Sequence, residues 1–484
     1  MTILSTTTVK DVLASVLPEC IPTAREAATI TAVAQEAMSL VKEKVTPEMV
    51  SDVVFGGSFA KRTWLRGDAD IDIFVKVRPG VDEKTFEQLG VKIGTDALKK
   101  YRPHLRYSDH PYVEAFIRGV RINVVPCYDV ERGKWKSAAD RSPYHTLYVM
   151  QALDDEKKSQ VRLLKRFFKS AGIYGAEIST GGFSGYVSEV LVARYGSLEG
   201  VLQAAAAGFG SAQQQQQQQQ QKQPIVIAVN NDDDDGGGSG GYDQDVVKGF
   251  TSPLVIIDPV DPRRNLGTAI SPESAGTFIL AARAFLAGPS AAFFSLPRKR
   301  QAGRINKKLY PLVLVAEFSH RKRSPDTIWG QLKRSAGSLA KRLELAGFTV
   351  FRYTYATDEE TSGVFAFLLE SLALPPYTVR KGPEVLRRND SASFISKAMT
   401  SSLAMWVDRE MRVCAVAERK ETDAKKLLRE LLGEKAQSSG VARDMITGKL
   451  KVYSASQKKL GRLAKGAVDE LVSTESIIFF GSTD

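Results

Sequence analysis

The sequence predicts an α+β chain of several domains, on three observations. Strands with period-2 alternation and helices with 3.6-residue spacing are mixed before residue 142. The pattern is helical from 142 to 207, and a strand, helix, strand, strand order returns after residue 300. A chain of 484 residues excludes one small module, since single cores stop growing near ~250–300 residues.

Taken in order, residues 9–45 carry apolar stripes at helical spacing, Val12, Leu13, Val16 and Leu17 and then Ile30, Val33, Ala34, Ala37, Met38 and Val41, so two helices are expected. "SDVVF" (51–55) reads as a strand, "SFAKRTWL" (58–65) as a helix starting after Gly57, and "ADIDIFVKV" (69–77) as a second strand. "YVEAFIRGVRINVVPCY" (112–128) reads as a hairpin turning at Gly119. From 142 to 171 the pattern is helical, with Ser142 as N-cap, Pro143 at the first helical position, and Val161, Leu164, Phe167 and Phe168 on one face.

Residues 208–249 interrupt this order. An unbroken glutamine run from Gln213 to Gln221 and the stretch "NNDDDDGGGSGG" have too little apolar content to fold alone, so a dispensable, disordered insertion is expected, split by the short apolar segment "PIVIAV". "PLVIIDPVDPRRN" (253–265) then reads as a buried strand ending in a turn with paired arginines. "YPLVLVAEF", "DTIWGQLKRSAGSLAKRLELAG", "FTVFRYTYA" and "GVFAFLLESLAL" read as strand, helix, strand and strand of an α+β sandwich. The division drawn from these patterns is 1–141, 142–207, 208–249, 250–300, 301–375 and 376–484.

The 67 Lys and Arg against 55 Asp and Glu give a formal charge of +12, which suits a polyanionic partner such as nucleic acid or an acidic membrane surface, or simply solubility. Cys20, Cys127 and Cys414 are too few and too widely spaced for a disulfide framework or a cysteine metal site, so a reducing cytoplasm fits. No charged-then-apolar leader and no long apolar run is present, so neither secretion by that route nor a membrane span is expected.

The chemistry is concentrated in "GGSFAKRTWLRGDADIDIFVKV" (56–77). Residues i and i+2 of a strand share a face, so Asp70 and Asp72 present adjacent carboxylates while Ile71 and Ile73 face the core. Such a pair is unfavourable unless a cation sits between the carboxylates, and hard oxygen donors suit Mg²⁺ carrying substrate phosphates; the alternative is a solvated edge strand. Gly56, Gly57 and Ser58 allow close approach of the backbone to an anion, with Lys61 and Arg62 adding charge. A phosphate cradle followed closely by a metal-binding pair reads as nucleotidyl transfer.

This stretch resembles the head-domain signature of the DNA polymerase β nucleotidyltransferase superfamily. "HPYVEAF", "NVVPCY", "DRSPYH", "VRLLKRFFKSAGIYGAE", "GGFSGYVSEVL", "DPVDPRRN", "WGQLKRS" and "GPEV" further resemble segments of archaeal-type, class I CCA-adding enzymes. The resemblance implies a polymerase-β-type nucleotidyltransferase head, helical neck, α+β body and tail. It also implies template-independent addition of C, C and A to tRNA 3′ ends from CTP and ATP, with two Mg²⁺ ions, in a cytoplasmic homodimer. It places the triphosphate at Gly57, Ser58 and Lys61 and at the neck residues Ser142, His145, Lys165 and Tyr174. Arg264, beside Asn265, is implied to read the base edge.

Residue chemistry alone leaves alternatives at several of these positions. Lys165 and Lys169, one helical turn apart, can share a phosphate or form a solvated face; His145 can be structural; Arg263 and Arg264 can form a solvated turn. The family's third metal ligand is an aspartate immediately before "VVPCY", where this chain has Asn123. An amide oxygen still ligates Mg²⁺ but brings no charge and takes no proton from a hydroxyl. Glu114, across the hairpin, is a substitute carboxylate or an exposed edge-strand residue. Two alternatives therefore stand beside CCA addition: a related poly(A) or oligoadenylate-type polymerase, and a tRNA-binding homologue of weak catalysis.

Overall fold

The computed structural model describes residues 8–107, 110–209, 225–228, 249–250, 252–295, 304–436, 438–442, 444–474 and 478. It divides into two compact units, residues 1–302 with 475–484, and residues 303–474.

In the first unit, helices α1 (Val9–Cys20) and α2 (Ala24–Lys42) begin at threonine caps, Thr8 accepting from the Asp11 N–H and Thr23 from the Glu26 N–H. A five-stranded sheet follows, built from β1 (Val50–Gly56), β2 (Asp70–Val77), β3 (His104–Tyr107), β4 (Pro111–Ile117) and β5 (Val120–Tyr128), in the order β1-β2-β5-β4-β3. Only β2 and β5 run parallel; the other pairs are antiparallel. Ile71, Ile73, Val75, Val113, Ile122 and Val124 meet α2 and α4 (Glu83–Ala97) in one core, which leaves the opposite face of β2 and β5 for polar side chains.

The short helix α3 (Gly57–Lys61) links β1 to β2. Four residues shorter at its C-terminus than the pattern 58–65 predicts, it ends because Arg62 adopts a left-handed backbone (φ +57°). Arg162 holds that turn, its Nη2 donating to the Arg62 carbonyl at 2.6 Å and its Nε to the Trp64 carbonyl at 3.0 Å.

The region 142–171 is helical, in two pieces, α5 (Arg141–Ala152) and α6 (Asp155–Ala171). Asp154 caps the second, accepting from the Lys157 N–H at 2.8 Å. Ser142 is not an N-cap: a 3₁₀ turn, Ala138–Asp140, leads into α5, and Ser142 and Pro143 sit inside its first turn. With α7 (Gly185–Tyr195), α8 (Leu198–Ala206) and α9 (Pro272–Ala287), α6 encloses an aromatic core of Phe167, Phe168, Phe183, Phe278, Phe285 and Phe294. Val12, Val16 and Cys20 of α1 belong to this helical core and not to the sheet's, so the N-terminal boundary at residue 1 attaches α1 to the wrong packing partner.

Most of 208–249, where disorder is expected, lies outside the described residues. Ile225–Ile227 forms strand β6, which pairs in parallel with β7 (Leu254–Ile256).

In the second unit, after the two-residue strand β8 (Arg304–Ile305), β9 (Val313–Ser319), β10 (Val350–Thr357), β11 (Ser362–Leu369) and β15 (Leu450–Ser454) form a sheet ordered β10-β11-β9-β15. One face packs on α10 (Pro325–Leu345) and α12 (Ala424–Leu432), the other on α13 (Arg462–Val472). Burial on both faces explains why "PLVLVAEF" and "GVFAFLL" read as continuous apolar runs. Because β15 joins strands from before residue 376, the division placed there falls inside one sheet. Between β11 and α12 lies a separate sheet of β12 (Tyr377–Glu384), β14 (Arg412–Glu418) and β13 (Ser402–Val407), with α11 (Arg388–Met399) against β12.

Candidate active site

The parallel register of β2 and β5 pairs Asp70 with Arg121 and Asp72 with Asn123; the antiparallel register of β5 and β4 pairs Asn123 with Glu114. Asp72, Asn123 and Glu114 therefore lie in one row across three strands. The Asn123 Nδ2 donates to Asp72 Oδ1 at 2.9 Å, and its buried Oδ1 has no partner among the described residues. Burial raises the carboxyl of Asp72, while the Asn123 amide, Lys61 and Arg121 only partly oppose it. Asp70 is more open; burial and the neighbouring Asp68 and Asp72 push it up to about 6 against the pull of Arg121, 3.5 Å away.

Gly57 is required here for two reasons. Its φ is +61°, and a Cβ would stand 1.9 Å from Asp72 Oδ2. The turn thus brings backbone against the carboxylate pair, with Ser58 next in the first turn of α3.

Glu114 does not stand free as a substitute ligand. It is buried, and Arg106 on β3 donates to its Oε1 through Nε at 3.0 Å and Nη2 at 2.9 Å. Among the described residues no group of three His, Cys, Asp or Glu side chains is placed to hold a metal. The available set is the two aspartates and the orphaned oxygen of Asn123, an all-oxygen set that fits a hard divalent cation.

Lys61 and Lys165 are not on the surface. Lys61 Nζ is 2.8 Å and Lys165 Nζ 3.1 Å from the carboxylate of Glu189 on α7, and all three are buried. Thr63 donates to the same carboxylate and accepts from Lys165 at 3.1 Å. Burial opposes the charge of Glu189, yet the two lysines outweigh it and hold the carboxyl at about 2; burial draws the ammonium of Lys165 down. Lys165 and Lys169 do not share a ligand: Lys169 pairs with Asp68 at 2.6 Å and lies over the Tyr174 ring. Tyr174 is close to Lys165, since a Cβ on Gly185 would meet the Tyr174 hydroxyl at 3.1 Å and Lys165 Nζ at 3.5 Å.

Ser142, His145, Arg264 and Asn265 do come together, lining a cavity of about 840 Å³ with Tyr186 and Arg141. His145 Nε2 is 2.8 Å from Asp258 Oδ2, and its ring stacks on Tyr186 at 4.0 Å. Burial lowers the imidazole against the pull of Asp258, and because a carboxylate only accepts, Nε2 carries a proton in this contact. Asn265 spends its Oδ1 on the Ile256 and Gly267 N–H groups, at 2.9 and 2.7 Å, while its buried Nδ2 has no partner among the described residues.

Glu189, Asp258, Arg106 and Arg121 are the site residues that sequence reasoning did not single out. For Glu189 a signal existed: a glutamate inside the apolar run "YVSEVLV" is costly to bury without a cation.

Known proteins of one kind resemble this chain along most of its length. Residues 36–145 match the model of a nucleotidyltransferase domain, 159–295 that of the second domain of tRNA nucleotidyltransferase, and 311–454 that of the C-terminal domain of CCA-adding enzyme. A CCA-adding enzyme from Pyrobaculum neutrophilum is 33% identical over 88% of this chain and 94% of its own length. Those from Saccharolobus shibatae and Methanothermobacter thermautotrophicus are 34% and 33% identical, over 82% and 79% of the chain and 87% and 80% of theirs.

Proposed function

This chain belongs to the family of CCA-adding enzymes, tRNA nucleotidyltransferases that build the 3′-terminal CCA of tRNA from CTP and ATP, and we propose that Asp70, Asp72 and Asn123 are its catalytic centre. The observation that carries the assignment is the row on β2 and β5, where Asp72 adjoins an amide whose buried oxygen has no partner among the described residues, directly beneath Gly57.

In this reading Asp70, Asp72 and Asn123 hold divalent metal, two Mg²⁺ ions. A metal bound there would supply Lewis-acid polarisation of the α-phosphate and ease deprotonation of the tRNA 3′-hydroxyl, with diphosphate as the leaving group. Ser58 and the backbone at Gly57 receive the phosphates. Lys61 and Lys165 act differently from surface ligands: with Glu189 they form a buried group of two cations and one anion, whose remaining positive charge favours a triphosphate alongside. Ser142 and His145 border the nucleotide, Tyr174 stands beside Lys165 on the phosphate side, and Arg264 beside Asn265 reads the base through its planar fork. The tRNA acceptor end is the second substrate, consistent with the chain's +12 charge.

The reading includes a homodimer, which light scattering of the purified chain tests, and a cytoplasmic location. No helix among the described residues is long and apolar enough to cross a membrane. Asn123 favours a second reading, a homologue that binds tRNA and adds nucleotides slowly, because the third ligand is neutral. Labelled CTP and ATP incorporation into tRNA ending at the discriminator base decides between them. Asp70→Ala and Asp72→Ala abolish all three additions and leave tRNA binding near wild type; substantial C addition in both variants would remove the assignment.

A further inference from the structure

We propose that Asp258, a fully buried carboxylate behind the nucleotide cavity, is a specificity-determining positioning residue that fixes the direction of the Arg264 fork and the orientation of the His145 ring together. The proposal rests on the reading of Arg264 as the base-contacting residue and names what aims it.

Asp258 has no exposed surface, and its oxygens collect partners from three parts of the unit. His145 on α5 donates to Oδ2 at 2.8 Å, Tyr186 on α7 donates to Oδ1 at 3.3 Å, and the Val260 N–H donates to Oδ1 at 2.9 Å. Arg264 Nη1 stands 3.8 Å from Oδ2, and the Asp258 N–H closes the turn onto the Arg264 carbonyl at 3.1 Å. Arg264 itself is half exposed toward the cavity, so one side of its guanidinium faces a fixed buried charge while the other faces the ligand space. The turn is anchored from outside as well. Arg132 donates to the Val260 and Pro259 carbonyls at 3.0 and 2.7 Å, and Arg141 pairs with Asp261 at 2.7 Å.

A guanidinium reads a base edge only if its plane is held, since a long side chain free to rotate meets a wrong base as readily as a right one. Asp258 supplies that restraint at no cost in exposed charge. An ionised carboxylate accepts hydrogen bonds at both oxygens and donates none. It therefore keeps a proton of His145 on Nε2, directed at Asp258, and with the Tyr186 stack holds the ring in one orientation at the cavity wall. Asn in place of Asp258 keeps the shape but presents an NH₂ where one donor now points, and it removes the charge opposite Arg264.

The test is the ratio of kcat/KM for CTP to that for UTP at the first addition to full-length tRNA lacking CCA. Partial unfolding lowers both terms equally and leaves the ratio unchanged, so a merely structural role does not move it. Asp258→Asn is expected to lower the ratio roughly ten-fold or more, as lost fixed polar contacts do, mainly through a higher KM for CTP. Asp258→Glu, which keeps the charge but displaces it by a methylene, is expected to lower it as well and serves if the asparagine variant does not accumulate. Arg264→Ala is run beside them. A ratio that falls in Arg264→Ala but stays at the wild-type value in both Asp258 variants overturns the positioning role. An unchanged ratio in Arg264→Ala overturns the base-reading role on which the proposal rests.

Discussion

Asp72 and Glu189 are carboxylates that both feel the charge of Lys61, and their surroundings push them in opposite directions. Burial raises the carboxyl of Asp72, and its nearest donor is a neutral amide, with Lys61 and Arg121 acting from farther off. Glu189 is more deeply buried, yet two lysines and Thr63 contact it and hold its carboxyl at about 2. The matched carboxylate ties α3 to α6 and α7 as part of the frame. The other is only partly compensated by the Asn123 amide, Lys61 and Arg121, and it is the one proposed as a metal ligand. Burial alone does not separate structural from catalytic acids; the completeness of the counter-charge does.

The largest expected effect breaks the comparison if it fails. Asp72→Asn should lower nucleotide addition by roughly 10³-fold or more while leaving the thermal midpoint unchanged or raised, because a strained charge is removed. A variant that loses stability and keeps activity would reverse the assignment. Glu189→Gln should do the opposite in kind. It leaves Lys61 and Lys165 buried without an anion, so denaturant unfolding should show a loss of about 3–5 kcal/mol, whereas a loss below about 1 kcal/mol would make the cluster incidental.

Acid sharpens the same contrast. The folded-state value of Glu189 is depressed from an ordinary 4.5 to about 2, so its contribution is complete above the unfolded value and disappears as pH falls through that window. The stability of the wild type should fall as pH drops between those limits, and Glu189→Gln should flatten the curve there.

Smaller effects follow at positions already satisfied. Glu114→Gln should cost about 1 kcal/mol, since Arg106 is partly exposed and retains an amide oxygen to bond, and it should leave C addition within a few-fold of wild type. A collapse of activity would return Glu114 to the metal site. Smallest of all, deleting Gln213–Gln221 should shift stability by less than about 0.5 kcal/mol.

The insertion also shows where sequence reading stops. Its polar tracts mark it as dispensable, but Ile225–Ile227 pairs with β7 and Ile227 lies in the helical core, so deletions extending through the apolar segment remove a buried strand. The carboxylate pair was legible because strand periodicity is local: Asp70 and Asp72 share a face whatever the rest of the chain does. The hairpin about Gly119 was legible for the same reason, and it correctly placed Glu114 opposite Asn123. What was not legible was pairing at long range. Lys61 and Glu189 are 128 positions apart, and nothing in the helical spacing of Lys165 shows that its ammonium turns inward to the same carboxylate. The end of α3 was hidden likewise, because an arginine rarely adopts a left-handed backbone and the clamp that holds it comes from Arg162, far along the chain.

The most direct test of the catalytic assignment is Mg²⁺ binding by calorimetry together with single-turnover C addition across a Mg²⁺ titration, for wild type and Asn123→Asp. A third carboxylate at this position should lower the half-saturating Mg²⁺ concentration roughly ten-fold and raise the rate, toward the roughly 10²–10⁴-fold that hydroxyl activation contributes. Identical Mg²⁺ binding and identical rates in the two proteins would show that position 123 does not face the metal and would contradict the account.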